Sequence, residues 1–187
     1  MADLVDERLA RGRELIEQLD VAIVGVFAGD GRHGRRKVHT IERMTSHFRS
    51  LESMYHGAPI NTFFGPRITV ESGSATVRMP VRADFHHAAH AAHGSVYFKM
   101  LDDAAFFAVQ SRVADVFVLT VSFTVHLLAP VSEGEMISRG IAVHQSKRLF
   151  VAESTIQVGE KVVARGNGTF MRSAVRLDEE VGYGPPG

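Results

Sequence analysis

The chain has 187 residues, enough for one full-sized core and too few for two ordinary domains. Its 21 Lys and Arg balance 21 Asp and Glu, which excludes a global field drawing in nucleic acid or acidic membranes and leaves a small molecule as the expected partner. Cysteine is absent, so a disulfide framework, a thiolate nucleophile and a Cys-based zinc site are excluded as well.

From Leu4 to Leu19, apolar residues recur among charges at helical spacing and predict an amphipathic helix. The apolar run Val21 to Ala28 is too short to span a bilayer and lacks the layout of a secretory signal, so a cytoplasmic location is expected. The glycine-rich basic stretch Gly29 to Lys37 reads as a solvated break between helices, with a phosphate grip as the alternative. A second helix is expected from His39 to Tyr55, burying Ile41, Met44, Phe48, Leu51 and Tyr55. Residues 1–60 are taken as a helical extension, 61–176 as the main domain and 177–187 as a tail.

Beyond Pro66 the pattern turns to alternation. Ile68 and Val70, then Ala75, Val77, Met79 and Val81, predict strand segments broken at Ser72-Gly73. Ala83 to Ser95 reads as a loop, and His93 to Arg112 has helical length. Four β-rich runs follow, Val116 to Leu128, Glu135 to Gln145, Leu149 to Val158 and Lys161 to Met171, expected as an antiparallel meander. The central helix is apolar nearly all round, so it must be enclosed. An α+β fold with one curved antiparallel sheet wrapped around that helix, the hotdog architecture, satisfies this. Pairing two or more subunits would cover the sheet edges, so a homodimer or a dimer of dimers is expected.

Two adjacent carboxylates, Asp102 and Asp103, stand within the enclosed helix, and a buried carboxylate is costly unless paired or useful. Asp103 follows Lys99 by one turn and precedes Gln110 by seven residues, so a polar stripe accounts for it. Asp102 shares its face with Phe98, Ala105, Phe106 and Val109 and is read as having no cationic neighbour. A hydrogen bond to a loop or a partner chain would explain it. The preferred reading is a general base tuned by its apolar setting. At the helix start, His93-Gly94-Ser95 leaves backbone N–H groups pointing outward, suited to a carbonyl oxygen that becomes negative, although Ser95 as a cap is the simpler account. His86, His87, His90 and His93 cluster, but with no cysteine nearby hydrogen-bonding loop histidines are preferred to a metal site. Thr120, Ser122, Thr124 and His126 alternate with Val121, Phe123, Val125 and Leu127, so they are expected on one face, either solvent-facing or lining a site.

The string FHHAAHAAHGSVYFKMLDDAAFFAVQS followed by LTVSFTVHLLAPVSEGE resembles the hotdog thioesterases of the phenylacetic-acid-degradation (PaaI-like) group, over about residues 66 to 173. In that group an asparagine lies six residues before a His-Gly-Gly turn, and an Asp or Glu lies nine after its histidine. Counting from His93, the resemblance assigns the carboxylate to Asp102, puts His87 where the asparagine stands and Ser95 where the second glycine stands. The glycine three before the turn histidine is His90 here. The resemblance further implies that Thr120, ten residues before Pro130, helps hold water, that the Gly94 N–H polarises the thioester carbonyl, and that His93 buttresses the turn. Ser95, Lys147 and Arg148 are the implied substrate contacts, the basic pair meeting the coenzyme A phosphates. The expected activity is acyl-CoA hydrolysis with no metal or redox cofactor, coenzyme A being part of the substrate. A hotdog hydratase or dehydratase, pairing a histidine with a carboxylate, and a non-catalytic acyl-CoA sensor are the alternatives.

Overall fold

The computed structural model describes residues 31–184, with side chains from residue 42. The helix expected at Leu4–Leu19 and the run Val21–Ala28 lie outside the described residues. The chain divides into two compact units, residues 1–43 and 44–187. The site lies in the second unit.

Helix α1 covers Gly31–Gly57 and a short α2 covers Pro59–Phe64. The basic stretch read as a break is therefore helical from Gly31 onward. Its arginines, histidine and lysine tolerate a helix, and the two glycines among them cost only about 1 kcal/mol each. Within the second unit the buried face of α1 is His47, Ser50, Leu51, Met54 and Tyr55, with Phe48 packed at its side. Met44, expected inside, is 42% exposed. Leu51, Tyr55 and Phe48 pack inward as expected, the side chain of Ile41 lies outside the described residues, and polar anchors add to the stripe. His47 Nδ1 pairs with the Tyr183 hydroxyl at 2.8 Å and its Nε2 reaches the Gln110 carbonyl oxygen at 3.2 Å, while Glu52 accepts from the Val70 N–H at 2.8 Å.

Six antiparallel strands follow: β1 Arg67–Glu71, β2 Ser74–Pro80, β3 Val116–Leu127, β4 Glu135–Gln145, β5 Leu149–Val158 and β6 Lys161–Arg176. Helix α3, Gly94–Gln110, lies between β2 and β3 in sequence and packs against the sheet from β1 to β6. This is the hotdog fold, with a helix at its N-terminal side. The strand order is β1-β2-β4-β5-β6-β3. Only β4, β5 and β6 form a meander, because β3 crosses to the far edge beside β6 and leaves its place next to β4 to β2. The crossing leaves β1 at one edge of the sheet and β3 at the other, with α3 packed against all six strands.

Alternation in β4 and β5 shows why the helix fits so closely. The inward residues are Met136, Ser138, Gly140 and Ala142 on one strand and Phe150, Ala152, Ser154 and Ile156 on its neighbour. Small residues in the middle of this surface meet Ala104, Ala105 and Ala108 of α3, all fully buried. A Cβ at Gly140 would lie 2.1 Å from the Ala104 carbonyl oxygen. Under Phe123, Gly166 and Gly168 play the same part for β3, since a Cβ at either would strike that ring at 2.5 Å or less. At the other end of α3, the fully buried Gln110 donates to the carbonyl oxygens of Val113 and Val116 and accepts from the Val118 N–H at 2.8 Å, fixing β3 to the helix. Replacing Gly140 by alanine is expected to destabilise the protein by about 3 kcal/mol or more, since backbone rather than a yielding side chain opposes the new methyl. Chemical denaturation against wild type measures this, and a change below about 0.5 kcal/mol would contradict the close approach.

Candidate active site

Asp102 and Asp103 leave α3 side by side toward one cavity of about 750 Å³, lined also by Tyr55, Lys99, Phe106 and Thr120. The two carboxylates meet different surroundings. Asp103 Oδ2 accepts from the Lys99 ammonium at 2.6 Å and from the Tyr55 hydroxyl at 2.6 Å. Burial pushes its carboxyl above the usual range, and the contacts with Lys99 and Tyr55 oppose that. Tyr55 is held as a neutral donor, because burial and the neighbouring Asp103 charge both push its hydroxyl up. The pairing of Asp103 with Lys99 is as the helical spacing implied. Gln110 does not extend the stripe, being committed to β3.

Among the described residues Asp102 has one direct partner, the Thr120 hydroxyl, which donates to Oδ1 at 3.0 Å. Burial pushes its carboxyl up to about 6, the Thr120 hydrogen bond lowers it, the Asp103 charge raises it and Lys99 lowers it. Lys99, three residues earlier on the same helix, is thus a cationic neighbour that the sequence reading passed over. A carboxylate poised near neutrality, half-buried and facing a cavity has the properties of a general base.

Thr120 reaches Asp102 because β3 is irregular. The register between β3 and β6 shifts between Thr120 and Ser122, leaving Val121 as the extra residue of a bulge. Strict alternation would put Thr120, Ser122, Thr124 and His126 on one face, and the bulge divides them. Thr120 turns toward α3, and beyond the bulge it is Phe123 and Val125 that pack on the core. Ser122 lies outside, sharing a hydrogen bond of 2.7 Å with Thr169 on the exposed surface.

The other predicted residues stand apart from this pair. His93 caps α3, its Nδ1 accepting from the Ser95 N–H at 3.2 Å and from the Ser95 hydroxyl at 2.8 Å. A Cβ at Gly94 would meet only Leu127 Cδ1, at 3.5 Å, so packing does not require glycine at the helix start. Gly94 and Asp102 are separated by eight residues of helix, about 12 Å, too far for both to reach one carbonyl carbon from within a single chain. His87 is exposed in the preceding loop, where its Nδ1 accepts from the Ala89 N–H at 3.1 Å. His90 adopts φ 58, a left-handed conformation at the position where the resembling group has glycine. Among the described residues, no three His, Asp or Glu side chains gather into a group that would hold a metal. Lys147 and Arg148 are exposed at the β4–β5 turn, which Ser146 closes through Leu149.

Asp102 bears on stability as well as on chemistry. Its folded pKa lies above that of an unfolded chain, so the folded state binds the extra proton, and stability falls as pH rises from about 4 through about 6. Asp102→Asn removes the ionising group. The variant is expected to melt at or above the wild-type temperature at pH 8 and to lose that advantage near pH 4. Thermal melting at the two pH values tests this, and a variant less stable at pH 8 would show that Asp102 is a structural anchor.

Residues 89–165 match the family model described as the thioesterase superfamily. Among solved structures, the chain is similar to conserved protein PA5202 from Pseudomonas aeruginosa, at 25% identity and a TM-score of 0.60, covering 62% of this chain and 94% of that one. A mutant of the phenylacetic acid degradation protein PaaI from Thermus thermophilus matches at 25% identity and a TM-score of 0.57, covering 62% of this chain and 100% of that one. The PaaI protein of Escherichia coli, from the phenylacetic acid degradation operon, shares the fold at 23% identity and a TM-score of 0.63, covering 70% and 98%. These matches take in nearly all of the other chains and leave about a third of this one outside. No curated protein matches the chain in sequence. Among the described residues, no helix is long and apolar enough to cross a membrane. The matched segment contains the enclosed helix α3, and over it the chain is similar to the thioesterase superfamily on a hotdog fold shared with the PaaI structures.

Proposed function

We propose that this protein hydrolyses acyl-CoA thioesters to free acid and coenzyme A, with Asp102 as the group that activates water. The observation that supports this most directly is the pairing of Asp102 with Thr120 at 3.0 Å on the wall of an apolar cavity, with the carboxyl raised to about 6. Asp102 accepts a proton from water as the water oxygen attacks the thioester carbon, and a tetrahedral oxyanion forms. The carbonyl oxygen lies on the N–H of Gly94 of the partner subunit, where the start of α3 offers unsatisfied donors and a positive dipole end. The C–S bond then breaks, and Asp102 returns its proton to the departing thiolate. Thr120 holds the carboxylate, His87 orients the water from the facing loop, and His93 with Ser95 stiffens the turn. Lys147 and Arg148 meet the phosphates of coenzyme A, which enters as substrate. No metal or redox group has a part in these steps.

Turnover across two chains requires an oligomer. The edge strand β3 supports one, since it leaves Leu119, Val121 and Leu127, and Leu128 just beyond it, each more than half exposed. Sedimentation equilibrium is expected to find a dimer or a dimer of dimers, and an active monomer would sink the two-subunit site.

Free-thiol release from saturated, enoyl and aryl acyl-CoAs tests the activity, with no background from a chain that lacks cysteine. Loss of the enoyl chromophore without thiol would instead favour the hydratase. Asp102→Asn is expected to lower kcat by roughly a hundredfold or more while substrate still binds. Asp103→Asn should mainly cost stability and leave most turnover. For wild type, kcat/KM should fall about tenfold per pH unit below about 6, as Asp102 takes up a proton. A folded, inactive Asp103→Asn beside an active Asp102→Asn would overturn the assignment.

A further inference from the structure

The cavity beside Asp102 is closed by parts of the chain outside the sheet and the central helix. Met54 and Tyr55 of α1, Ile60 and Asn61 of α2, and the turn at Glu179–Val181 form much of its wall. Its chemistry is lopsided. Four acidic residues line it, Asp102, Asp103 and the exposed Glu179 and Glu180, against one basic residue among the described residues, Lys99, which Asp103 already holds at 2.6 Å. Aromatic side chains of Phe106, Phe107 and Phe117 supply the apolar surface.

Asn61 adds an observation independent of charge. It is 6% exposed, and its Nδ2 donates to the Tyr55 carbonyl oxygen at 2.6 Å, which fixes the orientation of the amide. Its Oδ1 is then a buried acceptor with no partner among the described residues, on a residue that lines the cavity. An unmatched buried acceptor is costly, a cost that a ligand supplying a donor would remove. An anionic substituent would meet repulsion here. A neutral hydroxyl would satisfy Asn61 but leave the negative lining uncompensated. A protonated amine offers donors to Asn61, opposes the carboxylates and is attracted to aromatic faces.

We propose that this cavity receives the acyl group of the substrate and selects acyl groups bearing a protonated amine remote from the thioester, with Asn61, Glu179 and Glu180 as the specificity-determining residues. The choice of an acyl-CoA as carrier rests on the activity proposed above, whereas the preference for a cationic group rests on the cavity alone.

Wild-type protein is compared on 6-aminohexanoyl-CoA, hexanoyl-CoA, 6-hydroxyhexanoyl-CoA and adipoyl-CoA. The amino substrate is expected to exceed hexanoyl-CoA at least tenfold in kcat/KM, the hydroxy substrate to fall between them and adipoyl-CoA to be poorest. The combined Glu179→Gln and Glu180→Gln variant should shrink the amino-to-hexanoyl ratio several-fold, and Asn61→Leu, checked for folding by thermal melting, should shrink it too. Equal kcat/KM for amino and plain substrates, or a hydroxy substrate as good as the amino one, would overturn the inference. Should no acyl-CoA release thiol, the hydrolase reading fails, and the decision passes to calorimetric binding of 6-aminohexanamide against hexanamide. Tighter binding of the amine then upholds the selection without the activity, and equal binding overturns it.

Discussion

The constraint on which the rest depends is the near contact of α3 with β4, where Gly140 faces the backbone of Ala104 with no room for a methyl group. A helix this close to its sheet cannot slide or roll without backbone collisions, so the direction of each side chain is fixed by residue position. The alanine face lies down on small residues of β4 and β5, and the two carboxylates are left at the flank. They are buried deeply enough to be perturbed and remain beside the cavity. A bulkier sheet floor would lift the helix and let water reach both aspartates.

From that flank the neighbours divide the work. Lys99 and Tyr55 hold Asp103 in a closed polar knot, which offsets the cost of its burial. Among the described residues Asp102 receives a single hydroxyl, and in the proposed reaction it is the reactive member of the pair. The difference comes from partners on separate elements: a residue of α3 and a residue of α1 meet one carboxylate, and a residue of β3 meets the other. Adjacent identical side chains, both raised by burial, thereby acquire different partners, one an ammonium and a phenol and the other a single hydroxyl among the described residues.

Much of this was legible in the sequence. Period-two runs marked five of the six strands within a residue or two at most ends, and β6 continues to Arg176, five residues past its predicted end. The all-round apolarity of α3 required enclosure, and the apolar setting of Asp102, together with the count from His93 that the resemblance supplies, singled out that residue. Alternation alone misled at Val121, because one inserted residue reverses the facing of everything after it, and no local signal in VLTVSFTV marks the bulge. Strand order was equally hidden, since β3 bypasses β4 through a long-range pairing that local pattern does not encode. Lys99 could have been found, as it precedes Asp102 by one turn and Asp103 by four residues. Asn61, Glu179 and Glu180 could not, because only the fold brings α2 and the C-terminal turn to the same cavity.

Gln110 carries a consequence for anyone moving this site to another scaffold. Its carboxamide accepts from the Val118 N–H, two residues before Thr120, so one side chain indexes the start of β3 against the end of α3. The position of the Thr120 hydroxyl is then set by a short chain of fixed parts: helix end, amide, strand start, bulge. Grafting Asp102 and Thr120 alone would transplant two functional groups without the ruler that spaces them. A recipient hotdog would need the glutamine at the helix terminus and the inserted residue after the threonine, so the smallest portable unit runs continuously from the start of α3 through the middle of β3.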